Sequence, residues 1–210
     1  MKHKVMIVED QTMPRELFEL RIQASEHFEV ALSIDNAALA DVYCLRFPVD
    51  LILMDVVTRN GESGLDAAER IKRAFPQIKI IIVTSMPECS YLSRAREIGV
   101  ESFWYKEEQR ESLLDVMERT MAGESVYPDA TPELQLGLAS SYKFTERELE
   151  VLREMNGGDT HQEIAERLHM SVAPVKTHIL NMLEKTGFRN RTELAVRARE
   201  SGLVILNRKN

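Results

Sequence analysis

The sequence predicts an α/β doubly wound parallel five-stranded sheet with a second, all-α domain, and three observations carry that prediction. From residue 4 to about residue 122, short β-type runs alternate with amphipathic helical patterns, as βαβ units require. Four of the runs end in a polar residue: Val5-Met6-Ile7-Val8 before Glu9 and Asp10, Leu51-Ile52-Leu53-Met54 before Asp55, Ile80-Ile81-Ile82-Val83 before Thr84, and Phe103-Trp104-Tyr105 before Lys106. After residue 143 the β-type runs stop and helical patterns follow one another.

Strands are predicted near 4–8, 29–33, 50–54, 78–84 and 101–105. The helix after the first strand carries Met13, Leu17, Leu20 and Ala24 at i, i+4, i+7 and i+11, a stripe predicted to face the sheet, with Pro14 tolerated in the opening turn. The helix near 108–122 has Leu113, Met117 and Met121 at steps of four, and Gly123 stops it. Residues 123–143 hold two prolines, two glycines and small polar residues, and are predicted to be a linker with one short helix opening at Thr131-Pro132. Helices are predicted at about 145–156, 160–168, 171–185 and 191–201. The domains are thus 1–122, the linker 123–143, and 144–210.

At 210 residues and 44% hydrophobic content the chain can bury a real core. No apolar run is long enough for a membrane span, and the start of the chain turns acidic too soon for a signal peptide, so a cytoplasmic protein is expected. The two cysteines, Cys44 and Cys89, lack metal-ligand spacing. The net charge of −7 is unevenly spread: residues 1–142 hold 15 Lys and Arg against 24 Asp and Glu, whereas residues 143–210 hold 12 against 10. A modest basic excess at the end permits contact with nucleic acid without requiring it.

In a parallel sheet the four polar strand ends share the carboxyl edge, where open α/β folds bind ligands. Glu9, Asp10 and Asp55 offer the hard oxygen ligands that Mg²⁺ prefers while it keeps sites for water and phosphate. A carboxylate in such a site is able to attack phosphorus, and Asp55, at the tip of the predicted central strand, is the accessible nucleophile. Thr84 then offers a hydroxyl and Lys106 a mobile point charge to the phosphoryl oxygens. Singly, each has a plain alternative: a helix cap for Asp10, a polar strand end for Asp55, a solvated lysine for Lys106. Their joint order along four strands is what points to a phosphoryl site.

On these residues, 4–122 resembles the receiver domains of two-component response regulators, which have the flavodoxin-like (βα)5 fold. The resemblance implies that Glu9 and Asp10 are the acidic pair and Asp55 the phosphoacceptor, with Thr84 and Phe103 as switch residues and Lys106 as the active-site lysine. It also implies Mg²⁺ held by Glu9, Asp10, Asp55 and the backbone carbonyl of Val57, a sensor histidine kinase as phosphodonor, and a rearrangement of Thr84 and Phe103 on phosphorylation. The loop from Val56 to Gly64 departs from the family pattern: it lacks the proline usual after the phosphoacceptor and is one residue longer. Val57 and Met86 stand where similar domains orient a hydrolytic water, and neither side chain bonds water, so slow loss of the phosphoryl group is expected. A phosphohydrolase with the same nucleophile would carry a second acid at Val57, so an enzyme is not expected.

In 171–184, Val175, Ile179, Met182 and Leu183 form one helical face, leaving Ala173, Lys176, Thr177, Leu180, Asn181 and Glu184 on the other. Small and polar groups of that kind suit a major groove. Ser171 is the predicted N-cap, and the tight connection from the preceding helix suggests helix-turn-helix. Phe144-Thr145-Glu146-Arg147-Glu148-Leu149, Gln162-Glu163-Ile164-Ala165 and Val175-Lys176-Thr177-His178 resemble the LuxR-type DNA-binding domain, which with a receiver marks the NarL/FixJ class. The resemblance implies double-stranded DNA as partner, with contacts from Lys176, Thr177 and Leu180, and also Ala173 and Asn181 from the helical face, and a homodimer when phosphorylated. The function expected is a transcription regulator controlled by phosphorylation on Asp55; the alternative is a phosphorylation-independent receiver-type adaptor.

Overall fold

A computed structural model of the chain describes residues 2–85, 89–106, 111–129 and 131–204. They form two compact units that divide at residue 130.

The first unit is built on strands β1 (His3–Val8), β2 (Phe28–Ile34), β3 (Leu51–Asp55), β6 (Lys79–Thr84) and β7 (Ser102–Tyr105), all parallel in the order β2-β1-β3-β6-β7. Side chains alternate between its faces. Val5, Ile7, Leu51, Leu53, Ile81, Val83 and Trp104 pack on α1 (Thr12–Gln23) and α5 (Leu113–Met121). Met6, Val8, Ile52, Met54, Ile80, Ile82 and Phe103 pack on the opposite side with α2 (Ala40–Cys44), α3 (Gly64–Ala74) and α4 (Cys89–Ile98). Both faces are covered, hence the unbroken apolar runs in the sequence. The strand order reverses between β1 and β3, which opens the crevice where Glu9, Asp10 and Asp55 end their strands.

The first helix corrects one expectation. Met13, Leu17 and Leu20 are 82%, 45% and 64% exposed and Ala24 is exposed too, while Phe18 and Ile22 face the sheet. Phe18 meets Trp104 edge-on at 6.4 Å, and burying two side chains of this size contributes about 1.5–3 kcal/mol each. The stripe with the longer periodic run lost to the stripe with the larger ring, one residue further round. Asp10 is not the cap of this helix; Gln11 stands at that position.

The loop after Asp55 is ordered. Val57–Thr58 (β4) and Glu62–Ser63 (β5) pair antiparallel around a tight turn in which Asn60 has φ 65°. Thr58, 1% exposed, accepts from the Ala37 amide at 2.9 Å and donates to the Glu62 carbonyl at 3.1 Å.

The second unit packs α6 (Glu146–Asn156), α7 (His161–Arg167), α8 (Val172–Thr186) and α9 (Arg191–Glu200) around Leu149, Leu152, Ile164, Val175, Ile179, Met182 and Leu194. Thr145 with Glu148, and Thr160 with Glu163, form capping boxes that start α6 and α7. Ser171 is the N-cap residue of α8, but its side chain makes no capping bond. At Thr131-Pro132 no helix opens; residues expected to be linker form a hairpin, Gln135–Leu136 (β8) against Ala139–Ser140 (β9), whose Leu136 and Ala139 enter this core.

Candidate functional site

β1 and β3 end side by side, with Val8 paired to Met54, so Glu9 and Asp55 follow on adjacent strands. Asp55 pairs with Val83, which brings Thr84 to the same edge, and the Lys106 amide donates to the Thr84 carbonyl at 2.9 Å. Glu9 is fully buried, Asp55 is 5% exposed and Thr84 1% exposed. The Lys106 ammonium reaches both carboxylates, Glu9 at 2.5 Å and Asp55 at 3.2 Å. Glu9 also accepts from the Gln11 amide at 3.1 Å, and Asp55 from the Val56 amide at 2.8 Å.

Burial is the main influence on Asp55: it pushes the carboxyl up from 3.8 to about 7, against the attraction of Lys106 and with the repulsion of Glu9. One ligand oxygen from each of Glu9, Asp10 and Asp55 lies within 4.8 Å of the others. The donors are all hard oxygens, and the acids outnumber the one ammonium, so the set fits a divalent cation such as Mg²⁺. The Gly64 amide donates to the Val56 carbonyl at 2.8 Å, so by the alternation of an antiparallel ladder Val57 and Ser63 form a non-hydrogen-bonded pair. The Val57 carbonyl is thus outside the ladder. Gly64 itself is required by space: a Cβ there would lie 1.8 Å from the Asp55 carbonyl oxygen.

Phe103 is 2% exposed and packs against Tyr105, with ring centroids 5.0 Å apart. Met86 lies outside the described residues.

In the second unit α7 and α8 are joined by a turn in which His169 has φ 50° and the Leu168 carbonyl accepts from Arg147 at 2.7 Å. Val175, Ile179 and Met182 are buried; Ala173, Lys176, Thr177, Leu180, Asn181 and Glu184 are exposed together along the opposite face of α8. Two basic residues near this face lie outside the motifs legible in the sequence. Arg191, at the start of α9, donates to the Asp159 carbonyl at 2.7 Å. His161, at the start of α7, is held below its ordinary value by partial burial and by the nearby Arg191 and Lys176 cations. Two cations and an imidazole from three helices gather beside the exposed face of α8, a convergence that no local sequence window contains.

A phosphoryl-type carboxylate pocket on a doubly wound sheet, followed by a helix-turn-helix unit, defines a response regulator. Residues 5–118 match the response regulator receiver domain, and residues 142–198 match the luxR family of bacterial regulatory proteins. The chain belongs to this family of DNA-binding response regulators, which is a family of regulators rather than enzymes.

Among relatives, the response regulator protein VraR of Staphylococcus aureus is 31% identical over 209 residues, covering 96% of this chain and 98% of its own. VraR of Staphylococcus epidermidis matches with the same figures. The fold is shared with RcsB of Salmonella enterica serovar Typhimurium, solved bound to a promoter in the presence of phosphomimetic BeF3−, at TM-score 0.61 and 20% identity over 97% of this chain and all of that one. A further RcsB–DNA complex gives TM-score 0.62 at 18% identity over 95% of this chain and 98% of that one. Among the described residues no helix is long and apolar enough to cross a membrane.

Proposed function

We propose that Asp55 is the phosphoacceptor of a two-component system and that its phosphorylation by a sensor histidine kinase controls binding of double-stranded DNA by α8. The observation that carries this is the Asp55 carboxylate, buried at the switch point and sharing the Lys106 ammonium with Glu9. In the transfer, an Asp55 oxygen forms a bond to phosphorus as the phosphorus–nitrogen bond of the donor phosphohistidine breaks, and the electron pair leaves with the imidazole. Glu9, Asp10, Asp55 and the Val57 carbonyl would hold Mg²⁺, which when bound supplies charge neutralisation for the phosphoryl oxygens. Lys106, already poised between the two buried carboxylates, moves its charge to a phosphoryl oxygen, and the Thr84 hydroxyl bonds another. Thr84 and Phe103 then pass the change to the α4 side of the sheet.

On the DNA side, Lys176, Thr177, Leu180, Ala173 and Asn181 enter the major groove: the lysine and the polar groups meet phosphates and base edges, and Leu180 meets a thymine methyl. Pairing of two copies doubles these contacts and fixes half-site spacing. The exposed Met13, Leu17 and Leu20 give the receiver an apolar surface for that pairing. The protein is assigned to the cytoplasm, where promoters are in reach.

Phosphodonor treatment of the wild type and of Asp55→Ala, followed by intact mass and a DNA mobility shift, tests the assignment. The wild type gains one phosphoryl group and tighter DNA binding, and the variant gains neither. A wild type that behaves like Asp55→Ala, with no phosphodonor response in either, favours the adaptor alternative.

A further inference from the structure

The chain does not leave the first unit at the end of α5. Beyond Gly123 it runs back along β7, the edge strand of the sheet. The Phe103 amide donates to the Val126 carbonyl at 2.8 Å, and the Val126 amide donates to the Ser102 hydroxyl at 3.1 Å. This attachment gives the edge strand a partner it otherwise lacks. Tyr127 follows: its hydroxyl donates to the Val100 carbonyl at 2.7 Å, its ring lies 6.3 Å from that of Phe103, and the Arg96 guanidinium of α4 stacks over it at 4.6 Å. Phe103 is enclosed with Tyr127 as part of its cover. In a close-packed layer, the Phe103 ring has no outward path while Tyr127 is docked.

We infer that Val126 and Tyr127 form a strap that docks only when Phe103 is turned inward, so that the aromatic switch sets the length of free chain leading to the second unit. Thr131 is 8% exposed within the second unit, where its carbonyl accepts from the Tyr142 hydroxyl. Docked, the strap holds the chain to the first unit as far as Tyr127; released, the connection begins at residue 125, since the Gly123 and Glu124 amides stay bonded to the Thr120 and Arg119 carbonyls at the end of α5. The three residues freed, 125–127, extend its reach by about 10 Å at full stretch, which lowers the effective concentration of one unit at the other. The strap's response to signal rests on the proposed function: a phosphoryl oxygen that holds the Thr84 hydroxyl toward Asp55 leaves the inward site to Phe103, and the docked strap is favoured. Tyr127 is a positioning residue in this scheme. It acts through Phe103 and touches no phosphoryl group.

Hydrogen exchange read by mass spectrometry on the full chain, with Mg²⁺ and acetyl phosphate, tests the strap at the Phe103 and Val126 amides, with intact mass reporting phosphoryl uptake. In the phosphorylated wild type both amides slow by about fivefold or more, and in Asp55→Ala they do not respond. Tyr127→Ala speeds exchange at both amides and loses the response while still taking up the phosphoryl group; Tyr127→Phe, which keeps the ring, retains it. Equal exchange in the phosphorylated and unphosphorylated wild type, or a full response in Tyr127→Ala, overturns the inference. Failure of the wild type to take up any phosphoryl group sinks the parent assignment instead. Phe103→Ala then decides the strap alone: faster exchange at Val126 supports it, and unchanged exchange overturns it.

Discussion

The Lys106 ammonium sits closer to Glu9, at 2.5 Å, than to Asp55, at 3.2 Å. One cation shared between two buried acids leaves Asp55 undercompensated, and burial pushes it up to about 7 from 3.8. A carboxyl raised on folding contributes stability that is fully present below pH 3.8 and is lost as pH rises through about 7. In magnesium-free buffer, Asp55→Asn is therefore expected to melt above the wild type at pH 8, by about 4 °C or more, with the gap closing toward pH 4. Mg²⁺ raises the wild type and leaves the variant unmoved. Thermal melts that run parallel across the pH range reject this account of Asp55.

Thr58 ties the loop after Asp55 to the turn before α2 through the Ala37 amide. Thr58→Val keeps the shape and removes both hydrogen bonds, stranding a buried N–H at a cost of about 1–3 kcal/mol. The single tryptophan, Trp104, belongs to the first unit, so its fluorescence in urea follows this unit alone. A lower midpoint, together with weaker Mg²⁺ binding by calorimetry, is the expected result.

The carboxyl edge was legible because a parallel sheet turns strand order into proximity: Glu9, Asp10, Asp55, Thr84 and Lys106 each follow an apolar run, and register does the rest. Periodicity did not settle which of two neighbouring stripes of α1 is buried, since Met13, Leu17 and Leu20 keep the helical spacing as well as Phe18 and Ile22 do. Composition marked 123–143 as irregular but was blind to Tyr127, whose partners Val100, Phe103 and Arg96 are distant in sequence. The hairpins at 57–63 and 135–140 have strands of two residues, too short for an alternating pattern. The gathering of His161, Lys176 and Arg191 needs the packing of three helices before it exists.

Val57 stands two residues after Asp55 with a half-buried apolar side chain. No side-chain atom there is able to orient an attacking water, so the phosphorylated wild type is expected to lose its phosphoryl group slowly. Val57→Asn should speed that loss by on the order of tenfold, below the effect of a full general base. Phosphate release from purified phosphoprotein measures it, and an unchanged rate removes Val57 as the cause.

Met13 and Leu20 are 82% and 64% exposed on α1, so changing them leaves the core intact. Met13→Glu and Leu20→Glu should each keep the wild-type melting temperature and still accept the phosphoryl group. Sedimentation velocity after phosphodonor treatment should show the wild type pairing and both variants monomeric. Variants that still pair place the dimer surface elsewhere.

Lys176 is exposed on α8 between Ala173 and Leu180, and His161 is close enough to feel its charge and that of Arg191. A cation that neutralises a phosphate releases a counterion on binding, and each such contact adds about 0.9 to the slope of log affinity against log salt. Lys176→Ala should weaken binding and flatten that slope by about 1 for each copy bound. Thr177 tests the other kind of contact, because a side chain that reads a base edge changes sequence preference while leaving the slope alone. Anisotropy titrations of one duplex across a salt series, repeated with single base-pair changes, separate the two. If Lys176→Ala keeps both affinity and slope, the exposed face of α8 does not meet the DNA backbone at this residue, and Arg191 takes its place as the phosphate contact to test.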